Sequence, residues 1–135
     1  MHFGETLDRV GTVLAAGNWQ WAVAGGVALS AYGNPRMTLA LDVVTEAAAQ
    51  DTARQLFASL RSLPGPQGQS VSVPRAEHLI AMKVQAMKNA PDRAPQDLAD
   101  IAYLLSLPGT DLAEARGYFV KADMSDRWEQ LTHGR

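Results

Sequence analysis

A pair of glycines, Gly25-Gly26, is the first feature of this sequence with chemical potential. It lies between an apolar, β-prone segment, 19–24, and a segment of helical composition, 27–32. Glycines at such a junction let a phosphate approach the backbone N–H groups at the start of a helix, because no side chain blocks the way. An ordinary tight turn between a strand and a helix uses the same residues, so the pair alone leaves both interpretations open.

Three charged residues interrupt apolar patterns further along the chain. Asp42 is the acidic residue within 38–44, an apolar segment that predicts a strand. Lys83 shares a helix face with apolar residues four positions before and after it, and is either a cation for phosphate or a lysine that snorkels from the edge of that face. Asp97 lies near the apolar stripe of the next helix, where it either orients Lys83 or holds a metal ion.

The elements that must position these residues follow from periodicity and from turn residues. Strands are expected early in the chain and helices late, which predicts an α+β domain with a small mixed sheet flanked by helices and a helical C-terminal half. No repeat or linker divides the sequence, so residues 1–135 are expected to form a single domain. Strands are predicted at 19–24, 38–44 and 70–73, a loop at 64–68, and helix starts at Thr6, Val27, Thr45 or Thr52, Pro74, Pro95, Thr110-Asp111, and Asp123 or Ser125.

Composition excludes several classes of protein. The 135 residues are 47% hydrophobic with a formal net charge of -2, so binding nucleic acid through the whole surface is not expected. Cysteine is absent, which excludes disulfides, thiolate metal sites and a cysteine nucleophile. No apolar run approaches the roughly 18–20 residues that span a bilayer, and the N-terminus lacks a signal-peptide pattern. We therefore expect a cytoplasmic protein that does not enter membranes.

The glycine pair is followed at short range by Tyr32-Gly33, Pro35-Arg36, Thr38 and Asp42. In this order and spacing the residues resemble the minimal nucleotidyltransferases of the DNA polymerase β superfamily, in particular the AbiEii-like toxin group. The resemblance spans roughly residues 20–105. It continues through the segments 77–83 and 93–101, which look like the family's lysine helix and its Asp-x-x-Asp helix.

The resemblance implies a nucleotidyltransferase fold and the transfer of a nucleoside monophosphate from an NTP to an acceptor hydroxyl, of RNA as in the toxin group. It further implies Mg²⁺ or Mn²⁺ as cofactor and an antitoxin protein as partner. By the same resemblance the catalytic residues are Asp42, Lys83 and Asp97, the metal ligand is Asp42, and the nucleotide-binding residues are Gly25, Gly26, Arg36, Thr38 and Lys83. From residue type alone, Arg36 suits equally a surface turn, and Thr38 an ordinary strand position.

Position 40 departs from the family pattern. Side chains alternate along a strand, so positions 40 and 42 should face the same side and carry the two metal-binding carboxylates. Position 40 is alanine, and no Asp or Glu occurs between Leu60 and Val73 to supply a third carboxylate. Impaired catalysis is the expected result, whether Ala40 reflects natural degeneration or an engineered substitution. The alternative is an inactive nucleotide-binding or protein-interaction module of a toxin–antitoxin type system.

The remaining polar and aromatic candidates are expected to have structural roles. Asp100 is predicted to be solvated or to cap a helix, and His78 has no second histidine at metal-ligand spacing. Trp19, Trp21 and Trp128 are interpreted as anchors in the core or on a partner surface.

Overall fold

The order of helices and strands agrees with a mixed α+β fold. The structure, a computed structural model, describes residues 3–17, 20–34, 42–45, 51–65 and 70–133. Strands fall in the first part of the chain, and helices fill the part after residue 75. The elements are α1 (Phe3–Ala16), β1 (Trp21–Ala24), α2 (Gly25–Ala31), β2 (Asp42–Thr45), α3 (Asp51–Ala58), β3 (Arg61–Pro64), β4 (Ser70–Val73), α4 (Ala76–Asn89), a 3₁₀ turn (Pro91–Arg93), α5 (Ala94–Ser106), α6 (Leu112–Lys121) and α7 (Ser125–Thr132).

The chain divides into two compact units, Met1–Arg75 and Ala76–Arg135. The first contains all the described strands and three helices. The second contains four helices and the 3₁₀ turn among its described residues.

Both strand pairs of the first unit are antiparallel. Strand β1 pairs with β2 from Trp21↔Thr45 to Ala24↔Asp42, and β3 pairs with β4 from Arg61↔Val73 to Pro64↔Ser70. The expected mixed sheet therefore does not appear among the described strands, whose pairings contain no parallel partner. Strand β3 was missed because its four residues include one strongly apolar side chain, Leu63. Its extended form depends on hydrogen bonding with β4.

Helix α2 follows β1 directly, so the two glycines occupy its first turn instead of preceding it. It ends at Ala31, and the predicted break follows at Gly33, which has a φ of 99°. The Gly33 N–H donates to the Ser30 carbonyl (2.9 Å) and the Asn34 N–H to the Leu29 carbonyl (3.0 Å), the two bonds of a Schellman motif. These bonds satisfy carbonyl groups that the last helical turn leaves unpaired.

Helix α1 begins earlier in the chain than predicted. Thr6 was expected to cap α1, but α1 begins at Phe3 and Thr6 lies within it. Gly11 of α1 lies against Trp21 of β1, so closely that a Cβ atom there would be 2.9 Å from the indole Cζ2 atom. A glycine is therefore needed where this helix meets the strand. Among the described residues of the unit, the buried apolar ones include Ala22, Val23, Ala24, Val27, Ala28, Leu29, Leu56, Val71 and Val73.

The second unit is built on α4, which contacts both α5 and α6, while α6 also contacts α7. The rings of Phe119 and Trp128 are tilted by 55° with centroids 5.6 Å apart, which makes Trp128 a core residue. The Lys88 Nζ atom donates to the Ala122 carbonyl (2.9 Å) and ties α4 to the end of α6. The larger buried apolar side chains are Leu79, Ile80, Val84, Met87, Leu98, Ile101, Leu104, Leu105, Phe119 and Trp128.

The ends of α6 show one confirmed cap and one correction. Asp111 is the N-cap, as predicted, and its carboxylate accepts a bond from the Glu114 N–H (3.0 Å). Asp123 and Ser125 were predicted as alternative caps of α7, yet the N-cap is Met124. Asp123 instead ends α6 with a φ of 59°, since its N–H donates to Val120 and the Met124 N–H to Phe119 in a second Schellman motif.

Candidate functional site

A buried ion cluster in the second unit joins two elements that the sequence analysis singled out separately. Lys83 extends from α4, and its Nζ atom lies 2.9 Å from Asp100 Oδ2 and 3.4 Å from Asp97 Oδ1, both on α5. These two aspartates lie one helical turn apart, so they present their carboxylates on the same face of α5. The lysine is therefore held by two charged partners and does not snorkel to solvent.

Burial sets the energetics of this cluster. The side chains of Lys83, Asp97 and Asp100 are 11%, 1% and 6% exposed. Removing three charges from water costs several kcal/mol each unless ion pairs and hydrogen bonds offset that cost. Loss of Lys83 would remove a cation that both buried carboxylates contact.

The prediction that Asp100 is solvated or caps a helix is wrong. Asp100 is buried because the side of α5 that is turned away from solvent includes Asp97, Ile101 and Leu104, at spacings of three and four residues. The signal for its burial was therefore present in the pattern. A carboxylate at a position of the apolar stripe needs a cation, and Lys83 is that cation.

Arg93 begins the segment 93–101 that the resemblance covers, but it is not among the predicted site residues. Its Nε atom lies 3.3 Å from Asp97 Oδ2, while its side chain remains 58% exposed. The i, i+4 spacing of Arg93 and Asp97 was a usable signal, although the 3₁₀ turn before α5 was not foreseen. Each oxygen of Asp97 thus contacts a different cation.

Two candidate features of the first unit, Asp42 and the glycine pair, meet at one end of the β1–β2 pair. The Cα atom of Asp42 lies opposite that of Ala24, the last residue of β1, and Gly25 follows with a φ of 63°. Because the strands are antiparallel, the first residue of β2 lies beside the end of β1. The backbone thus brings Asp42 and the glycine pair to the same place.

Three sequence-predicted positions lie outside the described residues. These are Arg36, Thr38 and Ala40, and for β2 the structure describes the backbone pairing. The phosphate contacts assigned to Arg36 and Thr38, and the shared face of positions 40 and 42, therefore stay predictions.

The carboxylates of the ion cluster do not fit a metal ion. Both oxygens of Asp97 face cations, and Asp100 Oδ2 faces Lys83, so a divalent cation would meet positive charge there. Within the described ranges, no three His, Asp or Glu side chains are grouped so that they could hold a metal. Mg²⁺ or Mn²⁺ binding remains a prediction that rests on Asp42.

The acidic and basic residues at the start of α4, Glu77 and His78, are both buried. Glu77 Oε2 accepts a bond from the Asp111 N–H (2.8 Å), which connects α4 to the start of α6.

No helix of the described ranges is long and apolar enough to cross a membrane.

Comparison with known proteins does not assign a family. No protein-family model matches the chain, and no curated protein matches it.

Proposed function

We propose that this chain is a nucleotidyltransferase-like protein of the AbiEii-like toxin type, with a nucleotidyltransferase fold, that binds an NTP. Its transfer of a nucleoside monophosphate to an acceptor hydroxyl, with RNA as the candidate acceptor, is impaired by Ala40. The observation that carries the proposal is the ion pairing of Lys83 with Asp97 and Asp100. The resemblance identifies the lysine helix and the Asp-x-x-Asp helix separately along the chain, and their charged residues meet in space.

The strand pairing of the first unit supports the same proposal. A phosphate-binding glycine turn is useful to a metal-dependent transferase when a carboxylate lies near it, because the metal ion must contact the phosphate. The pairing of Ala24 with Asp42, next to Gly25, is consistent with this requirement.

In the proposed reaction, a divalent ion held by Asp42 would supply charge neutralisation at the phosphates. Lys83 contributes a fixed positive charge, which Asp97 and Asp100 hold in place. The glycine pair allows close approach of the backbone. With Ala40 in the position of the second carboxylate, less negative charge is available for cations, and we expect slow or absent transfer.

Nucleotide binding is the first test. Calorimetry of the full chain with ATP, GTP, CTP and UTP in magnesium should detect binding of at least one nucleotide. Asp42→Asn should weaken that binding in magnesium and have little effect in EDTA. If none of the four nucleotides binds at millimolar concentration, the proposal fails.

Restoring the missing carboxylate is the second test. Ala40→Asp should raise labelling of RNA from α-labelled NTPs by roughly 10²–10³-fold, in line with the loss caused by removing one electrostatic catalytic group. Ala40→Asn is the matched control, because it has nearly the same size without the charge. Addition of Asp42→Asn to Ala40→Asp should abolish the gain.

The inactive binding module is kept as a second candidate because of Ala40 itself. Nucleotide binding by the wild-type chain, together with no labelling by Ala40→Asp in RNA supplied with all four NTPs, would favour that candidate over an impaired enzyme.

A further inference from the structure

Asp97 lies between two cations that differ in exposure. Its Oδ1 atom faces the nearly buried Lys83 at 3.4 Å, and its Oδ2 atom faces Arg93, whose side chain is 58% exposed. The carboxylate itself is 1% exposed. It therefore connects a buried ammonium group to a guanidinium group at the surface.

The packing of α4 against α5 does not by itself require this arrangement of charges. Buried ion pairs are often no more stabilising than apolar side chains of similar volume, so their stability contribution does not by itself explain them. Lys83 already has Asp100 at 2.9 Å as a counter-charge. Within the described residues, the Nη groups of Arg93 have no hydrogen-bond partner, and one Lys83 donor is not used.

We infer that Asp97 is a positioning residue that holds Lys83 and Arg93 as a pair of cations for the polyphosphate group of a nucleotide, with Arg93 in direct contact with a phosphate. The nucleotide as ligand rests on the proposed function; the cation pair rests on the geometry. Guanidinium N–H groups form strong, oriented hydrogen bonds to phosphate, and one bond to a buried carboxylate limits the rotation of the Arg93 side chain.

As a positioning residue, Asp97 differs from a metal ligand, the other role expected for it. A metal ligand needs an oxygen that faces the cation, but both oxygens of Asp97 already face Lys83 or Arg93. The two roles predict different responses to magnesium. A positioning role acts on polyphosphate binding with or without the metal, whereas a metal ligand matters only when the metal is present.

The first experiment measures binding of sodium tripolyphosphate and of ATP by calorimetry, each in EDTA and in magnesium. Arg93→Gln should weaken binding of both probes about tenfold, as expected for loss of a hydrogen bond to a charged group. Arg116→Gln is the matched control: it makes the same charge change at an exposed position of α6 in the same unit, and should leave the dissociation constant within twofold. Equal effects of the two variants would overturn the inference.

The second experiment uses the sign of the effect at Asp97. Asp97→Asn removes a negative charge, so it should strengthen polyphosphate binding if Asp97 acts only through the local potential. Under the positioning role it should weaken binding, because an amide has one acceptor oxygen and cannot hold both cations. The weakening should be severalfold in EDTA as well as in magnesium. Stronger binding, or an effect confined to magnesium, would contradict the inference.

Folding is checked by circular dichroism on each variant. Since Arg93 is largely exposed, Arg93→Gln remains a decisive variant if Asp97→Asn does not fold. Absence of tripolyphosphate binding by the wild-type chain would also overturn the inference. If ATP binds equally to wild type and Arg93→Gln, the inference fails and the proposed function stands; if Arg93→Gln weakens tripolyphosphate binding but Ala40→Asp transfers nothing, the inference stands without the enzyme.

Discussion

The Nζ atom of Lys83 lies 2.9 Å from Asp100 Oδ2, closer than its 3.4 Å separation from Asp97 Oδ1. Asp97 also contacts Arg93, and Asp100 contacts Lys83. The pair links α4 to α5 in the interior of the second unit, where water does not screen the charges strongly. The contribution of this pair to the free energy of unfolding can be measured by substitution of Lys83.

Lys83→Met should destabilise the protein by about 3–5 kcal/mol, because two buried carboxylates lose their shared counter-charge. Urea unfolding followed by circular dichroism measures the loss. Lys121→Met, at an exposed position of α6, is the control and should change the free energy of unfolding by less than about 0.5 kcal/mol. Double-mutant cycles should give a larger coupling for Lys83 with Asp100 than with Asp97, and the reverse order would contradict the distances.

Asp123→Gly should stabilise the protein by about 0.5–1 kcal/mol. Asp123 has a φ of 59° in the Schellman motif that ends α6, and glycine adopts this left-handed conformation without the penalty of a Cβ atom. Thermal unfolding should show a higher midpoint. A lower midpoint would mean that the Asp123 side chain contributes more than its backbone strain costs.

Gly109→Ala gives the complementary result. A Cβ atom at Gly109 would have open space around it, but the φ of 84° belongs to a turn in which the Thr110 N–H donates to the Leu107 carbonyl. We expect a loss of about 1–2 kcal/mol from backbone strain alone. An unchanged unfolding midpoint would exclude this cause.

Gly11→Ala and Gly117→Ala should have opposite effects, although both place alanine in a helix. The Cβ atom at Gly11 would lie 2.9 Å from Trp21, while the one at Gly117 would meet no atom within 4 Å. We expect Gly11→Ala to destabilise by about 1–3 kcal/mol through overpacking, and Gly117→Ala to stabilise by about 0.5–1 kcal/mol through helix propensity. Stabilisation by both variants would show that Trp21 moves aside at little cost.

Glu77→Ala should cost more stability than Glu114→Ala. The sequence Asp111-x-x-Glu114 is a capping box, in which the glutamate would accept the Asp111 N–H bond. Here Glu77 of α4 accepts that bond, while Glu114 Oε2 accepts one from the Tyr118 hydroxyl (2.6 Å). Removing Glu77 therefore leaves a helix-start N–H without its partner, at a cost of about 1–3 kcal/mol, and equal losses in urea unfolding would contradict this assignment.

Local signals in the sequence determined the helical second half, the break after α2 at Gly33, the Asp111 cap and the short strand at 70–73. These features depend on residues close together in the chain, through turn geometry, capping bonds and the 3.6-residue period. Asp42, Lys83 and Asp97 were likewise selected because a charge on an apolar pattern is visible without a structure. The chemistry assigned to them came from the family resemblance.

Only the tertiary structure decided which groups meet. Strand β3 forms because β4 supplies hydrogen-bond partners, and Glu77 caps α6 because packing of α4 brings its carboxylate to Asp111. Asp100 and Arg93 became part of the ion cluster for the same reason: Lys83 reaches α5 only after α4 packs against it. Sequence patterns predict which face of a helix is buried. The partner of a buried charge, however, depends on how elements that are distant in the chain pack together.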